Sequence, residues 1–264
     1  PRVATALAGI PCVALLVWLG GIGFNLVVVL LALLALRELD VAARARSTPL
    51  VAVVSYPAVL ALLLAAWQAS DAASIARVSW PVVWLVPLAL LVVAVLAYSP
   101  RGRVSLVSVA LTQLAILYVG LFAFLILLRA RPADGSTLLW LALLGVWTGD
   151  TIAYYAGRAF GRRKLTPLSP GKTIEGALAG FVATIAMCVL VAVVGNIGWR
   201  HGLVMGVLIA FAAPLGDLAE SLWKRELGVK DLGTLLPGHG GVLDRCDSLL
   251  FSVFVVYSYA LWRM

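Results

Sequence analysis

The feature that most limits what this chain can become is a series of apolar runs, separated by short polar segments, each about long enough to cross a bilayer as a helix. They fall near 3–19, 23–36, 51–67, 80–98, 104–128, 137–157, 176–195, 203–222 and 248–262. A transmembrane barrel would need strands alternating polar and apolar positions, whereas these runs are apolar on every face. With 63% hydrophobic residues, 12% charged residues and a mean hydropathy of +1.06, the chain has too little polar surface to enclose a soluble core. The expected class is all-α, a polytopic integral membrane protein with about nine transmembrane helices. Residues 1–135 are expected to form about five N-terminal helices. Residues 136–264 are expected to form a catalytic region with cytoplasmic loops at 158–175 and 224–247. The first two boundaries are the softest, because "LGGIG" at 19–23 suits either a loop or a bend within a hairpin.

A cleaved leader is not expected from so long a first run, and a chain beginning at Pro1 is expected to have been trimmed upstream. Cys12, Cys188 and Cys246 are far apart and lack metal-ligand spacing. The twenty basic residues decide orientation. Nine alternating spans with the N-terminus inside leave only Arg77, Arg129, Arg131, Arg200 and Arg263 on the outer side. That asymmetry matches the positive-inside rule and sets both long loops on one cytoplasmic face. The basic segments 37–46 and 101–103 are expected to be loops that orient the chain and touch lipid headgroups.

Ionisable residues at membrane depth are costly and mark functional candidates. Asp150 lies inside the sixth run, with Tyr154 one turn on, and Asp217 and Glu220 lie in the last turns of the eighth. Before the seventh run, "LSPGKTIEG" places Lys172 and Thr173 at a helix start, a plausible anion site. It is not a nucleotide-binding P-loop, because Thr166 stands where the first glycine of GxxxxGK[ST] belongs. Thr173 and Gly176 do not form a capping box, so helix capping explains only part of this segment.

The densest constellation is "GDLAESLWKRELGVKDLGTLLPGHGGVLDRCDS", residues 216–248. Asp217, Glu220, Ser221 and Lys224 share one helix face, and Asp244 and Asp247 share another. Between them lie Arg225, Lys230, Asp231 and His239, with Gly238, Gly240 and Gly241 around the histidine. Hard oxygen ligands suit Mg²⁺, which takes one or two carboxylates and completes its shell with water and phosphate oxygens. Carboxylates beside Lys and Arg point to phosphoryl or nucleotidyl transfer more than to ion passage. Helix-dipole capping by Asp247 and a surface pair of Asp244 with Arg245 are the plainer alternatives. The glycines read as a tight loop under a ligand. His239 lacks zinc partners, which leaves a phosphate donor, a proton carrier or a loop-structuring residue. Ser221 has no evident base and is not expected to be a nucleophile.

Residues 221–247, with the Lys-Arg pair, the Lys-Asp pair, the Pro-Gly-His-Gly-Gly run and the aspartates around Arg245, resemble the signature of the CDP-diacylglycerol synthases, or phosphatidate cytidylyltransferases. "DTIAYYAGRAFG" and "SPGKTIEG" are similar to further segments of that family, so the likeness runs from Trp147 onward. Trp223 and Cys246 depart from the usual residues at packing positions, and Gly171 replaces a polar one, leaving Lys172 as the expected phosphate contact. The resemblance implies that CTP and phosphatidic acid are converted to CDP-diacylglycerol and pyrophosphate with Mg²⁺, a second cation being left open. It implies catalytic roles for Asp244, Asp247, Lys224, Arg225 and His239, and a metal site of Asp217, Asp244 and Asp247. Substrates would be held by Lys172, Thr173, Ser221, Lys230, Asp231, Gly238, Gly240, Gly241 and Arg245, with Asp150 and Tyr154 at the lipid headgroup. The expected location is a bacterial-type inner membrane with the site on the cytoplasmic face. Nucleic acid is not an expected partner, and the Gly176–Gly180 spacing permits a homodimer without requiring one. The competing readings are another CTP-dependent lipid cytidylyltransferase, a lipid kinase, or an ion-coupled transporter. The last is disfavoured because the two halves show no repeat.

Overall fold

A computed structural model describes residues 2–69, 87–92, 105–233 and 240–263. Among them the chain is built of helices: α1 (Arg2–Leu19), α2 (Gly21–Ala45), α3 (Ala52–Gln68), α4 (Leu106–Gly120), α5 (Ala123–Arg129), α6 (Gly135–Phe160), α7 (Ile174–Val194), α8 (Trp199–Leu227) and α9 (Leu243–Arg263). Residues 87–92 are also helical; the rest of the expected fourth span lies outside the described residues. Among the described residues four stretches are long and apolar enough to cross a membrane: Leu106–Arg129, Gly135–Phe160, Ile174–Val194 and Trp199–Leu227. Ala52–Gln68 is a shorter apolar helix. The chain is thus an all-α, polytopic membrane protein.

The α1–α2 break falls inside "LGGIG". Gly20 and Gly21 have φ of 60° and 61°, where a side chain would crowd the backbone. Residues 37–45, expected as a loop, instead continue α2 by more than two turns, which corrects the reading of 37–46 as an orienting loop. Asp40 explains the continuation. Its carboxylate receives the Leu50 N–H at 3.1 Å and the Arg44 Nε–H at 2.8 Å, closing the turn into α3 with satisfied partners.

The chain divides into two compact units. The first comprises Pro1–Cys12, Leu19–Leu127 and Glu226–Arg245, so the segment after α8 belongs with the N-terminal helices. Its apolar core includes Leu36, Leu39, Leu63 and Ile116, all fully buried. The Thr112 hydroxyl accepts the Val51 N–H at 2.9 Å, satisfying an N–H at the start of α3.

The second unit comprises Val13–Trp18, Leu128–Arg225 and Cys246–Met264. Its central feature is an antiparallel seam between α6 and α7. Gly145, Gly149, Ala153 and Gly157 recur every four residues on one helix and Gly176, Gly180, Thr184 and Cys188 on the other. A Cβ at Gly180 would lie 2.8 Å from the Gly149 carbonyl, one at Gly176 would lie 2.5 Å from the Ala153 carbonyl, and one at Gly149 would overlap Thr184 Oγ1. Small residues let the two backbones meet, which supplies the close packing that apolar lipid cannot drive. Thr184 Oγ1–H also donates to the Gly145 carbonyl at 3.2 Å. The Gly176–Gly180 stripe is therefore buried within the chain rather than offered to a second copy.

Candidate active site

The second unit gathers its functional candidates from four helices and one loop. The seam fixes α6, which carries Asp150, and ends where residues 161–173 fold back on themselves. Leu165 N–H donates to the Lys172 carbonyl at 3.0 Å, and Ile174 N–H to the Arg163 carbonyl at 3.0 Å. Glu175 Oε2 accepts the N–H groups of Arg162 and Arg163 at 3.0 and 3.3 Å. Thr173 caps α7, its hydroxyl accepting the Gly176 N–H at 3.2 Å. Capping thus accounts for Thr173 more fully than the sequence suggested. The same fold-back holds Lys172 against Asp217 as an ion pair with both side chains 29% exposed.

On α8 the expected helix face is present. Ser221 Oγ–H donates to Asp217 Oδ1 at 3.4 Å, and Lys224 Nζ lies 2.5 Å from Glu220 Oε2. Glu220 is buried, so Lys224 answers a charge that water cannot reach. Helix α9 crosses α8 at Gly216, where any side chain would overlap the Asp247 backbone. This absence of a Cβ is what brings Asp247 beside the Asp217 turn. Asp247 is within electrostatic reach of Asp217, Asp150 and Lys224, and Asp150 of Asp217 and Lys172. Asp150 is exposed on α6. Tyr154 and Tyr155 are exposed and meet edge to face, with centroids 5.3 Å apart.

In the first unit, Asp244 Oδ2 accepts the N–H groups of Gly241 at 2.8 Å and Leu232 at 3.1 Å. Gly240 has φ +80°, a conformation that favours glycine, and a Cβ there would sit 3.0 Å from Asp244 Oδ2. Lys230, Asp231 and, on the first turn of α9, Arg245 are exposed, as is Arg225 on α8. Gly238 and His239 lie outside the described residues. Gly241 admits the carboxyl group of Glu38 from α2, which a Cβ would strike. Its lack of a side chain is therefore explained by a protein carboxylate, where the sequence suggested a ligand. Sequence reasoning missed Glu38. Its only local signal was an acid, with Asp40, inside an otherwise basic stretch.

Among the described residues no three His, Cys, Asp or Glu side chains are grouped closely enough to hold a metal ion by themselves. What the second unit offers is the pair Asp217 and Asp247, oxygen donors of the number and hardness that Mg²⁺ uses when water and substrate complete its shell. By that test the donor set fits.

The helices define a polytopic membrane protein whose second unit carries a cluster of acidic and basic side chains. A model described as the Cytidylyltransferase family matches residues 1–262, and the chain belongs to that family. It is 34% identical over 256 residues to the phosphatidate cytidylyltransferase of Staphylococcus haemolyticus, covering 95% of this chain and 94% of that one. It is 42% identical over 135 residues to phosphatidate cytidylyltransferase 5, chloroplastic, of Arabidopsis thaliana, covering 50% of this chain and 33% of that one. Against the phosphatidate cytidylyltransferase of Staphylococcus saprophyticus it is 40% identical over 154 residues, covering 57% of this chain and 58% of that one. The match therefore spans about a third and somewhat over half of the latter two relatives.

Proposed function

We propose that this protein is a phosphatidate cytidylyltransferase, joining CTP and phosphatidic acid to give CDP-diacylglycerol and pyrophosphate. The observation that carries the reading is the Lys172–Asp217 ion pair with Asp150, Asp247 and Lys224 within electrostatic reach of it, in one unit of a membrane protein. It is supported by the family to which the chain belongs and by the full-length bacterial relative.

An ionised phosphate oxygen of the lipid attacks the α-phosphorus of CTP, a new P–O bond forms, and the bond to the bridging β-oxygen breaks as pyrophosphate leaves. The attacking oxygen is already an anion, so no strong general base is needed. The chain must instead relieve anion repulsion, align the reactants and stabilise the leaving group. Asp217 and Asp247 would hold Mg²⁺, with Asp244 assigned by its place one turn before Asp247. Bound there, the ion would supply charge neutralisation at the phosphates. Lys172, Lys224, Arg225, Lys230 and Arg245 hold phosphate oxygens, with Ser221 and Thr173 assisting. His239, Asp231 and the glycines 238, 240 and 241 shape the triphosphate loop. Asp150 and Tyr154 border the place where the lipid headgroup enters. The protein sits in an inner membrane with both loops cytoplasmic, a placement supported by the basic asymmetry. There a soluble nucleotide and a bilayer lipid reach one site.

The decisive experiment is purified protein in detergent with labelled CTP, phosphatidate and Mg²⁺. Formation of a CDP-lipid and pyrophosphate is expected. Absence of both with every divalent cation tried would overturn the reading.

A further inference from the structure

Glu38 has no part in the reaction just described, yet both of its carboxylate oxygens are engaged by backbone N–H groups. Its side chain is buried. Oε1 accepts the Val242 N–H at 2.9 Å and Oε2 the Leu243 N–H at 3.1 Å, from residues 204 and 205 positions further along the chain. Both Gly233 and Gly241 lack a side chain where the Glu38 carboxyl group lies, and a Cβ at either would overlap it. A helix start leaves N–H groups without partners and carries partial positive charge. Here the cap of α9 comes from another helix. With Asp244 taking the Gly241 N–H, three consecutive N–H groups, 241 to 243, all point to two carboxylates.

We propose that Glu38 is a positioning residue for the nucleotide. By holding two N–H groups at once it fixes the backbone of residues 240–243, and with it the conformation in which Gly240, Gly241 and Asp244 meet the triphosphate. This rests on the cytidylyl-transfer reading above. Glu38 itself touches no substrate; it acts through the loop. Glutamine at this position keeps the size and one acceptor, but its NH₂ group faces a backbone N–H, so one bond is lost. Aspartate keeps two acceptors at shorter reach.

The test is Glu38→Gln and Glu38→Asp in the full chain, read by amide hydrogen exchange and by kinetics. In Glu38→Gln, amides of 240–245 should exchange roughly tenfold faster while those of α6 and α7 are unchanged. The KM for CTP should rise roughly tenfold with the KM for phosphatidate unchanged, and Glu38→Asp should fall between. Unchanged exchange at 240–245 would overturn the proposal. So would faster exchange with an unchanged KM for CTP, or lower turnover with both KM values unchanged, the pattern of a cap that only stabilises the fold. If Glu38→Gln does not fold, Glu38→Asp carries the same two readouts. Exchange needs no turnover, so a wild type that makes no CDP-lipid would sink the functional reading separately.

Discussion

Glu38 in the first unit and Asp217 in the second are both acids on helices of a very apolar chain, and they are held in opposite ways. Glu38 is buried and bonded to two backbone N–H groups. Asp217 is partly exposed and, among the described residues, meets the side chains of Lys172 and Ser221. Backbone donors cannot leave without unfolding a segment, whereas a lysine can swing away through its four-carbon stem. The first arrangement makes a carboxylate part of the frame. The second leaves one that exchanges partners when a cation or phosphate arrives. Between Glu38 and Asp217 the difference is the kind of donor, more than depth or charge; Asp244, which accepts two backbone N–H groups, shares the first arrangement.

Four substitutions sharpen or break this contrast. The largest effect is expected for Asp247→Asn, which should cut turnover about 10²–10³-fold while circular dichroism shows the same helical content. Near-normal activity would place Asp247 in the frame with Glu38. Lys172→Met should slow turnover roughly 10- to 100-fold, yet change thermal stability by less than about 1 kcal/mol, because the pair it breaks is partly exposed. A stability loss with intact turnover would reverse its assignment. Gly149→Val should act the other way, destabilising the detergent-solubilised protein by about 1–3 kcal/mol in thermal unfolding, since the new side chain overlaps Thr184 in the seam. Smallest of all, Arg46→Ala removes a 3.0 Å bond from an exposed guanidinium to the Leu227 carbonyl. It should lower the unfolding free energy by about 1 kcal/mol or less and leave the KM for phosphatidate unchanged.

The helical membrane class was legible because hydropathy is a one-dimensional property, readable without knowing what packs on what. The pairs Ser221 with Asp217 and Lys224 with Glu220 were legible for a similar reason, since four-residue spacing makes helical neighbours. Glu38 was not, because its partners lie some two hundred residues away and positive-inside charge offered a sufficient account of its surroundings. Gly241 shows a subtler limit. A glycine announces that something comes close to the backbone, and the sequence does not say whether that is a phosphate or a carboxylate of the same chain. The seam was half visible: Gly176 and Gly180 stood out, but their complement on α6 is spread across Gly145, Gly149 and Gly157, where Asp150 and the tyrosines drew attention instead.

The reach of Glu38 across the chain also makes its contact a late event in biosynthesis. Ribosomes extend a chain at about 5–20 residues per second. The 204 residues between Glu38 and Val242 therefore take roughly ten to forty seconds to appear. During that interval α2 has been made while the amides it will hold do not yet exist. The clasp on residues 241–243 can therefore close only after most of the chain, Asp150, Lys172 and Asp217 included, has been made.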